Sequence, residues 1–207
     1  MDTMQIKNNL VTAYQRYALE REQAETQPWK MDLREEFAQT MKAQNLQTLL
    51  EIGAGHGRDS LYFQQNGFDV TCTDLTPQMV ALCLAKGLNA KEMDFSHLEF
   101  EDASFDAVWA LNCLLHVKKE DLPSVLHEVR RVLRPEGLFF MGVYGGVDSE
   151  GVWENDHYEP KRYFSFFTDE ALKKVLQEKF TILSFQSFPH NDALTFQAVV
   201  LTTKTGA

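Results

Sequence analysis

The sequence predicts a doubly wound α/β fold built around one glycine-rich turn, and three observations support this. From residue 47 onward, short apolar runs alternate with helical patterns, as expected for parallel strands joined by crossover helices. The run Thr48–Ile52 ends in glycines at 53, 55 and 57, and a helical pattern starts directly afterwards. Two runs near the C-terminus, 180–187 and 194–202, follow each other without a helix and can pair antiparallel.

The composition and charge of the chain argue against several classes of function. The protein has 207 residues, of which 44% are hydrophobic and 24% charged, as in ordinary globular proteins. Its net charge of −10 argues against nucleic acid and anionic membranes, because both attract basic proteins. The three cysteines form no metal-ligand or disulfide pattern, and the sequence shows no signal-peptide core. We therefore expect a cytoplasmic monomer or homodimer without metal, nucleic acid or membrane partners.

Two helical patterns precede the first strand. One covers residues 6–25 and the other residues 31–43. They are either packing helices or a lid over the glycine turn. Tyr14, Tyr17 and Trp29 favour the lid, since large aromatic side chains are costly to expose and useful over a ligand.

The remaining elements follow in regular alternation. A polar loop at 145–162 interrupts the rhythm, and Thr168 then caps the last helix. The predicted strands are 48–52, 68–73, 90–93, 105–111, 138–143, 180–187 and 194–202, and the predicted helices are 58–66, 76–86, 120–133 and 168–179.

Acidic residues follow two of the strand patterns. Asp74 ends the second strand, and Asp94 ends the third, next to Phe95. The carboxyl ends of parallel strands lie side by side at the crevice where doubly wound sheets bind ligands. At that edge Asp74 could accept hydrogen bonds from a ribose diol and Asp94 from an exocyclic amine, with Phe95 beside a base. Each acid also has an alternative role, Asp74 as a turn residue and Asp94 as a helix cap.

The glycine turn predicts a nucleotide-like ligand, but its spacing departs from the common nucleotide motifs. Glycines let the backbone approach a ligand, and the helix start beyond them presents unpaired N–H groups. A dinucleotide motif requires G-x-G-x-x-G, whereas Arg58 stands at the position of the third glycine. The turn also lacks the Gly-Lys-Ser/Thr of a phosphate-binding P-loop. Arg58 and the final pair of strands disfavour a nicotinamide-dependent oxidoreductase.

The stretch 51–57, Glu-Ile-Gly-Ala-Gly-His-Gly, resembles the first motif of class I S-adenosylmethionine-dependent methyltransferases. Asp74, Asp94 and the stretch 131–137 match later landmarks of that family, although Glu136 stands at the middle of what is usually Pro-Gly-Gly. The turn and the residues after it are similar to small methyltransferases of the tellurite-resistance and thiopurine type. The resemblance covers roughly residues 47–144, and the rest of the chain matches in pattern.

This resemblance implies a Rossmann-like fold: a seven-stranded, mostly parallel sheet with an antiparallel last strand, preceded by N-terminal helices. It implies one methyltransferase domain over residues 1–207. Within that domain, residues 1–45 form a helical cap and 46–146 the cofactor-binding core, while 147–207 supply the acceptor-side loop, the final helix and the strand pair.

The resemblance also implies S-adenosyl-L-methionine as the cofactor. The glycine turn passes beneath its methionine part, Asp74 binds the ribose hydroxyls, and Asp94 meets the adenine amine. Arg58 either pairs with the cofactor carboxylate or forms a surface salt bridge with Asp59 or Glu51. The expected cofactor-binding residues are Glu51, Gly53, Ala54, Gly55, Gly57, Arg58, Asp74, Leu75, Met79, Asp94, Phe95 and Asn112.

Methyl transfer needs a general base only when the acceptor carries a proton at neutral pH. His116 and Tyr144, near the ends of the fourth and fifth strands, are the expected catalytic residues, with packing roles as the alternative for each. Tyr158 in the polar loop is a further candidate. The expected substrate-pocket residues are Tyr14, Tyr17, Trp29, Trp153, His157 and Arg162.

The sequence therefore favours a methyltransferase that acts on a small-molecule acceptor by in-line displacement. One alternative is a non-catalytic S-adenosylmethionine-binding module with a closed acceptor side, and another is a protein methyltransferase. The stretch 112–115 is Asn-Cys-Leu-Leu, not the Asn-Pro-Pro-Tyr that marks methylation of bases or glutamine amides in this family. The acceptor itself is not readable from these residues.

Overall fold

The computed structural model describes residues 1–191 and 193–204. The helices are α1 (Thr3–Arg16), α2 (Ala18–Gln23), α3 (Pro28–Ala43), α4 (Arg58–Gln65), α5 (Pro77–Ala85), α6 (Leu122–Val132) and α7 (Asp169–Gln177). The strands are β1 (Thr48–Ile52), β2 (Asp69–Asp74), β3 (Asn89–Glu92), β4 (Phe105–Leu111), β5 (Leu133–Gly145), β6 (Ser149–Val152), β7 (Tyr163–Phe166), β8 (Phe180–Pro189) and β9 (Thr195–Thr203). One turn of 3-10 helix covers Leu114–His116.

Seven of these strands form one sheet in the order β3-β2-β1-β4-β5-β9-β8. The pairs β1–β2, β1–β4, β2–β3 and β4–β5 are parallel, whereas β9 runs antiparallel to both of its neighbours, β5 and β8. This confirms the predicted doubly wound, mostly parallel sheet with an antiparallel last strand. The strand order reverses between β1 and β4, which is the position where such sheets form a ligand crevice.

Burial on both faces explains why β1, β4 and β5 occupy the middle of the sheet. Every residue of β1 after Thr48 is buried, as is the apolar part of β5. On one face, Trp109 of β4 stacks on Phe140 of β5 with ring centroids 3.9 Å apart, and Phe37 of α3 packs over both. The opposite face packs against α6 through Leu126 and its neighbours. The two covering layers leave the carboxyl edge of the sheet open to the loops.

The first helical pattern differs from the prediction. The sequence predicts one helix over residues 6–25, whereas the structure has α1 and α2, which meet at Tyr17. Tyr17 has φ −104° and ψ 15°, yet its N–H still donates to the Ala13 carbonyl. Its ring stacks on Tyr158 at a centroid distance of 4.5 Å. Helical periodicity does not reveal such a long-range contact, so the break could not be predicted.

The polar loop expected at 145–162 contains a strand. β6 pairs antiparallel with β7, placing Glu150 opposite Ser165. The sequence of β6 is Ser-Glu-Gly-Val, which lacks the alternation that predicts a strand. Its pairing instead follows from β7, where Phe164 and Phe166 are buried. This small sheet holds the segment between its two strands, including Arg162, beside α1.

The carboxyl ends of β1, β2 and β4 meet at one edge of the sheet. The Ala54 N–H donates to the Thr73 carbonyl at 2.9 Å, and the Met93 N–H donates to the Asp74 carbonyl at 3.0 Å. The first bond ties the glycine turn to β2, and the second ties the residue after β3 to the end of β2. Residues of α1 and α2 line the space above this edge, as the lid hypothesis requires. No helix in the described part of the chain is long and apolar enough to cross a membrane.

Candidate functional site

A cavity of about 790 Å³ lies between the carboxyl edge of the sheet and the N-terminal helices. Every expected cofactor-binding residue except Gly57 lines it. Gly57 packs instead against Cys83 and Leu88. The other walls come from α1, α2, the start of α3, the 3-10 helix, the start of α6 and Tyr158.

The glycine turn presents bare backbone to this cavity. At Gly55, with φ +56°, an added Cβ would meet nothing within 4 Å. At Gly53, with φ +63°, an added Cβ would lie 2.3 Å from the Cβ of Cys113. Gly53 is therefore required by packing behind the turn, whereas Gly55 leaves room on the ligand side.

Asp74 closes the glycine turn and still has capacity for a ligand. Its two oxygens accept from the N–H groups of Gly55 and Thr76, each at 2.8 Å. Burial raises the pKa of Asp74, and these two bonds oppose the rise. A carboxylate has about four acceptor positions, so roughly two remain for hydroxyl donors. Binding of ribose hydroxyls by Asp74 stays a prediction.

Glu51 and Asp59 form a buried acidic pair beneath the turn. Burial, together with the nearby charge of Asp59, raises the pKa of Glu51 well above its usual value. Glu51 accepts a hydrogen bond from Ser60, while Asp59 pairs with Arg34 at 2.7 Å. Asp59 also accepts from the Trp109 indole at 3.1 Å. Arg34 thus balances the charge of Asp59, while burial disfavours the charged form of Glu51.

Asp94 is engaged by the N-terminal helix. It accepts from the ammonium of Lys7 on α1 and, at 2.9 Å, from the Ser96 N–H. Burial opposes its charge, yet these partners hold the pKa of Asp94 below its usual value. Any adenine amine at Asp94 would therefore share the carboxylate with Lys7. Leu75, Met79 and Phe95 supply the apolar lining of this end of the cavity.

Two cavity-lining side chains have a buried polar atom without a partner in the described residues. They are Asn112, through Oδ1, and His56, through Nδ1. Burial and the charge of Arg58 lower the pKa of His56 to about 4, so its ring is neutral. Buried polar atoms are seldom left unpaired in native proteins. An acceptor atom such as the Asn112 oxygen fits a ligand that brings a donor, for example an ammonium group.

Arg58 forms no salt bridge with Asp59 or Glu51 in the described residues, and its pairing with the cofactor carboxylate stays a prediction. Its guanidinium donates to the Thr26 hydroxyl and to the carbonyl oxygens of Glu22 and Ala24. These carbonyls stand at the C-terminal end of α2, where a cation is favourable. Arg58 thus ties α4 to the segment that covers the cavity.

His116 and Tyr14 form a hydrogen-bonded pair at the other end of the cavity. The His116 Nδ1 lies 2.7 Å from the Tyr163 carbonyl, which can only accept, so Nδ1 carries the proton. Burial lowers the pKa of His116 to about 3, so the ring is neutral and its Nε2 is an acceptor. Nε2 lies 2.7 Å from the Tyr14 hydroxyl, which therefore donates to it.

Arg162 completes this cluster from behind the cavity wall. Its guanidinium makes two bonds of 2.8 Å to the carboxylate of Asp156 and donates to the Tyr14 oxygen at 3.0 Å. It also lies 3.9 Å from the ring centroid of Tyr158. The Tyr14 hydroxyl therefore donates to His116 Nε2 and accepts from the Arg162 guanidinium.

Tyr144, the second expected catalytic residue, lies outside the cavity lining, as do the remaining expected pocket residues. Tyr144 accepts from Lys30 at 2.9 Å and packs edge-on against Phe196. Trp29 packs between Phe188 and Phe196. Three others also lie outside the lining: Tyr17 and His157, which pack around Tyr158, and Trp153, which packs on Phe164 and Phe166.

Sequence reasoning did not identify Lys7, Arg21, Lys30 or Asp156 as site residues. Arg21 continues the helical spacing of Tyr14 and Tyr17, which was the available signal for it. Lys30 follows Trp29 at the start of α3, and nothing in its surroundings distinguishes it from a surface lysine. Lys7 pairs with Asp94, which is 87 residues away in the sequence, and Asp156 pairs with Arg162, which is six residues away. No local sequence pattern indicates either pairing.

The family described as a methyltransferase domain matches residues 50–141. A sterol 24-C-methyltransferase of Gibberella zeae is 38% identical over 125 residues, covering 55% of this chain and 31% of that protein. A probable phthiotriol/phenolphthiotriol dimycocerosates methyltransferase of Mycobacterium ulcerans is 36% identical over 97 residues, covering 44% of this chain and 37% of that protein. The chain thus spans about a third of the length of these curated relatives.

Solved structures share the fold over most of the chain. The 1,6-didemethyltoxoflavin-N1-methyltransferase of Burkholderia thailandensis, solved with 1,6-didemethyltoxoflavin and S-adenosylhomocysteine, has a TM-score of 0.76. It is 22% identical, and the match covers 99% of this chain and 91% of that one. The [4+2]-cyclase SpnF also matches, with a TM-score of 0.64, 17% identity, and coverage of 77% and 75%.

The motifs and the sheet now agree with these matches. The matched range 50–141 runs from the first motif through β5, and it contains Asp74, Asp94 and Asn112. The seven-stranded, mostly parallel sheet is the one that the resemblance implies. The chain is similar in sequence to this methyltransferase-domain family over residues 50–141 and shares its fold with the solved structures.

Proposed function

We propose that this protein transfers a methyl group from S-adenosylmethionine to a small organic acceptor. The observation that carries the proposal is one cavity of about 790 Å³ that joins the glycine turn to the Tyr14–His116 pair. This volume lies toward the upper end of the range for ligand pockets, roughly 300–1,000 Å³, and gives room for a cofactor and an acceptor together. A binding module with a closed acceptor side would not extend to His116.

The residues at the glycine turn fit the cofactor. Asp74 has acceptor positions left for the ribose hydroxyls, and the unpartnered oxygen of Asn112 suits the methionyl ammonium. The open side of Gly55 lets the backbone approach the ligand. Leu75 and Phe95 offer apolar contact for the adenine.

When bound, S-adenosylmethionine supplies a methyl group that its sulfonium already activates, so the protein mainly orients the reactants and excludes water. The N-terminal helices provide the cover. Lys7 bonds Asp94 across the cavity, and Arg58 bonds the end of α2. Thr3 donates to Asp121 at 2.8 Å and fixes the start of α1. These contacts hold the N-terminal helices over the cavity at three points.

Tyr14 is the residue that we expect to touch the acceptor. Its proton is donated to His116 and its oxygen accepts from Arg162, so its remaining lone pair is free for a hydrogen bond from the nucleophile of the acceptor. His116 is a positioning residue in this scheme. Its Nε2 fixes the Tyr14 hydroxyl, and because its pKa is about 3 it is a weak base, so its role is to orient Tyr14 and not to take up a proton.

Two measurements test the proposal in sequence. Calorimetry should show S-adenosylhomocysteine binding and no binding of NAD; failure to bind S-adenosylhomocysteine would exclude the proposed function. The protein is then incubated with S-adenosylmethionine and a panel of thiol, amine, hydroxyl and metalloid acceptors, with S-adenosylhomocysteine as the measured product. Binding without turnover on any small molecule of the panel would favour the non-catalytic module.

A further inference from the structure

Arg21 and Lys30 line the cavity and, like Arg58, have no carboxylate partner within 4 Å in the described residues. Arg21 of α2 donates to the Tyr158 hydroxyl at 3.1 Å, and its guanidinium carbon lies 5.0 Å from the ring centroid of Tyr14. Lys30 of α3 donates to the Tyr144 hydroxyl at 2.9 Å. Both partners are neutral phenols, so neither cation is charge-balanced by the protein groups that it contacts.

Four carboxylates in the cavity lining are already engaged, whereas Glu20 and Glu25, which also line it, are exposed. Asp59 pairs with Arg34, and Asp94 pairs with Lys7. Asp74 accepts from two backbone N–H groups, and Glu51 accepts from Ser60. None of these four forms an ion pair with Arg21 or Lys30, so both cations line the cavity without a carboxylate of the described residues against them, although the whole chain has a net charge of −10.

The surroundings of Lys30 disfavour its positive charge. Burial and the nearby charge of Arg21 lower the pKa of Lys30 to about 8, with Asp59 opposing the shift. The ammonium is still mostly protonated at pH 7. A partly buried cation without a counter-charge raises the free energy of the protein, and an anion bound against it would lower that free energy. Arg21 and Lys30 therefore suit a ligand that carries negative charge.

We infer that the acceptor is a small organic anion, with a carboxylate, phosphate or ionised acidic group bound against Arg21 and Lys30. The inference rests on the proposed methyl transfer and narrows its substrate class. The site adjoins Tyr14, since Arg21 lies over the Tyr14 ring, so an anion there would lie beside the hydroxyl that faces the nucleophile. Bidentate geometry makes arginine well suited to such an anion.

The same charges could instead hold the carboxylate of the cofactor, and the experiment separates the two sources. Calorimetry is run on protein saturated with S-adenosylhomocysteine, at constant ionic strength, with benzoate, inorganic phosphate and the neutral control benzamide. We expect benzoate or phosphate to bind alongside S-adenosylhomocysteine, and benzamide to bind at least tenfold more weakly than the anion that binds. Absence of binding by both anions would overturn the inference while leaving the proposed function intact.

Variants then assign the binding to the two cations. Arg21→Gln and Lys30→Gln should each weaken anion binding at least tenfold, because each removes a charge and keeps much of the side-chain volume. Lys42→Gln is the matched control, since Lys42 is exposed near the other end of α3. Anion binding that Arg21→Gln and Lys30→Gln leave unchanged would overturn the inference.

A last comparison tests the cofactor as the source of negative charge. 5′-Methylthioadenosine lacks the amino-acid part that carries the carboxylate of S-adenosylhomocysteine. If the cations bind the acceptor, Arg21→Gln leaves the affinities for S-adenosylhomocysteine and for 5′-methylthioadenosine within twofold of wild type. A tenfold loss for S-adenosylhomocysteine alone, with 5′-methylthioadenosine unchanged, would assign Arg21 to the cofactor and overturn the inference.

Discussion

The two ends of the cavity are held in place by different kinds of contact. At the glycine turn, the ligand-facing groups are fixed by backbone bonds between neighbouring strand ends, such as those that Asp74 accepts from Gly55 and Thr76. At the other end, Tyr14 and His116 are fixed by each other and by Arg162, from three separate segments of the chain. The first end is therefore set by the sheet, and the second depends on how α1 docks.

This difference predicts which changes affect folding, which affect cofactor binding and which affect the acceptor. The cofactor end should tolerate almost no change in backbone geometry, because it is continuous with the core. The acceptor end should lose function while the cofactor still binds. The predictions below run from the largest expected effect to the smallest.

Gly53→Ala should destabilise the protein most. The new methyl group would lie 2.3 Å from the Cβ of Cys113 at a residue with φ +63°. Overpacking and left-handed strain together should lower the free energy of unfolding by about 3 kcal/mol. The matched control is Gly55→Ala, which has φ +56° but open space, and should cost only about 1 kcal/mol. Urea denaturation measures both, and equal losses would contradict the distinction between the two glycines.

Asp74→Ala should weaken cofactor binding without affecting the anion site. Loss of a charged hydrogen-bond acceptor should reduce the affinity for S-adenosylhomocysteine by about 1–3 kcal/mol. Asp69→Ala, at the exposed start of the same strand, is the control and should bind normally. Calorimetry with S-adenosylhomocysteine checks the change, and an unaltered affinity would show that the ribose site lies elsewhere.

Tyr14→Phe should separate the two ends of the cavity most directly. The variant removes the hydroxyl between His116 and Arg162 and leaves the contacts around Asp74 in place. With the acceptor found in the panel, we expect kcat to fall about 100-fold, in line with loss of a group that handles a proton, and the S-adenosylhomocysteine affinity to stay within twofold. A raised KM with unchanged kcat would instead make Tyr14 a binding residue only.

The cofactor end could be predicted from the sequence because its determinants are local. A glycine turn directly after a strand and acids at successive strand ends appear as short patterns, and parallel strands bring their ends together. The acceptor end could not be predicted in the same way. Arg162 reaches Tyr14 across 148 residues, and the break at Tyr17 depends on stacking with Tyr158. The sequence identified His116, Tyr14 and Arg162 singly, but not that they form one cluster.

The pH dependence of stability should report the burial of His116, and over the first pH unit below 6.5 this effect is the smallest of the four. Its pKa in the folded state is about 3, against 6.5 for an exposed histidine. Between these values the unfolded chain binds a proton that the folded protein does not, so the stability contributed by neutral His116 is lost as the pH falls below 6.5. The loss should reach at most about 1.4 kcal/mol for each pH unit.

His116→Gln isolates this contribution, since glutamine retains a donor and an acceptor but does not titrate. Urea denaturation between pH 7 and 4 should therefore show a shallower decline for His116→Gln than for wild type. His127→Gln, on the exposed face of α6, should decline as wild type does. Parallel curves for wild type and His116→Gln would mean that His116 is protonated in the folded protein. In that case its Nε2 would donate to Tyr14, and the Tyr14 oxygen would lose its role as an acceptor positioned for the nucleophile.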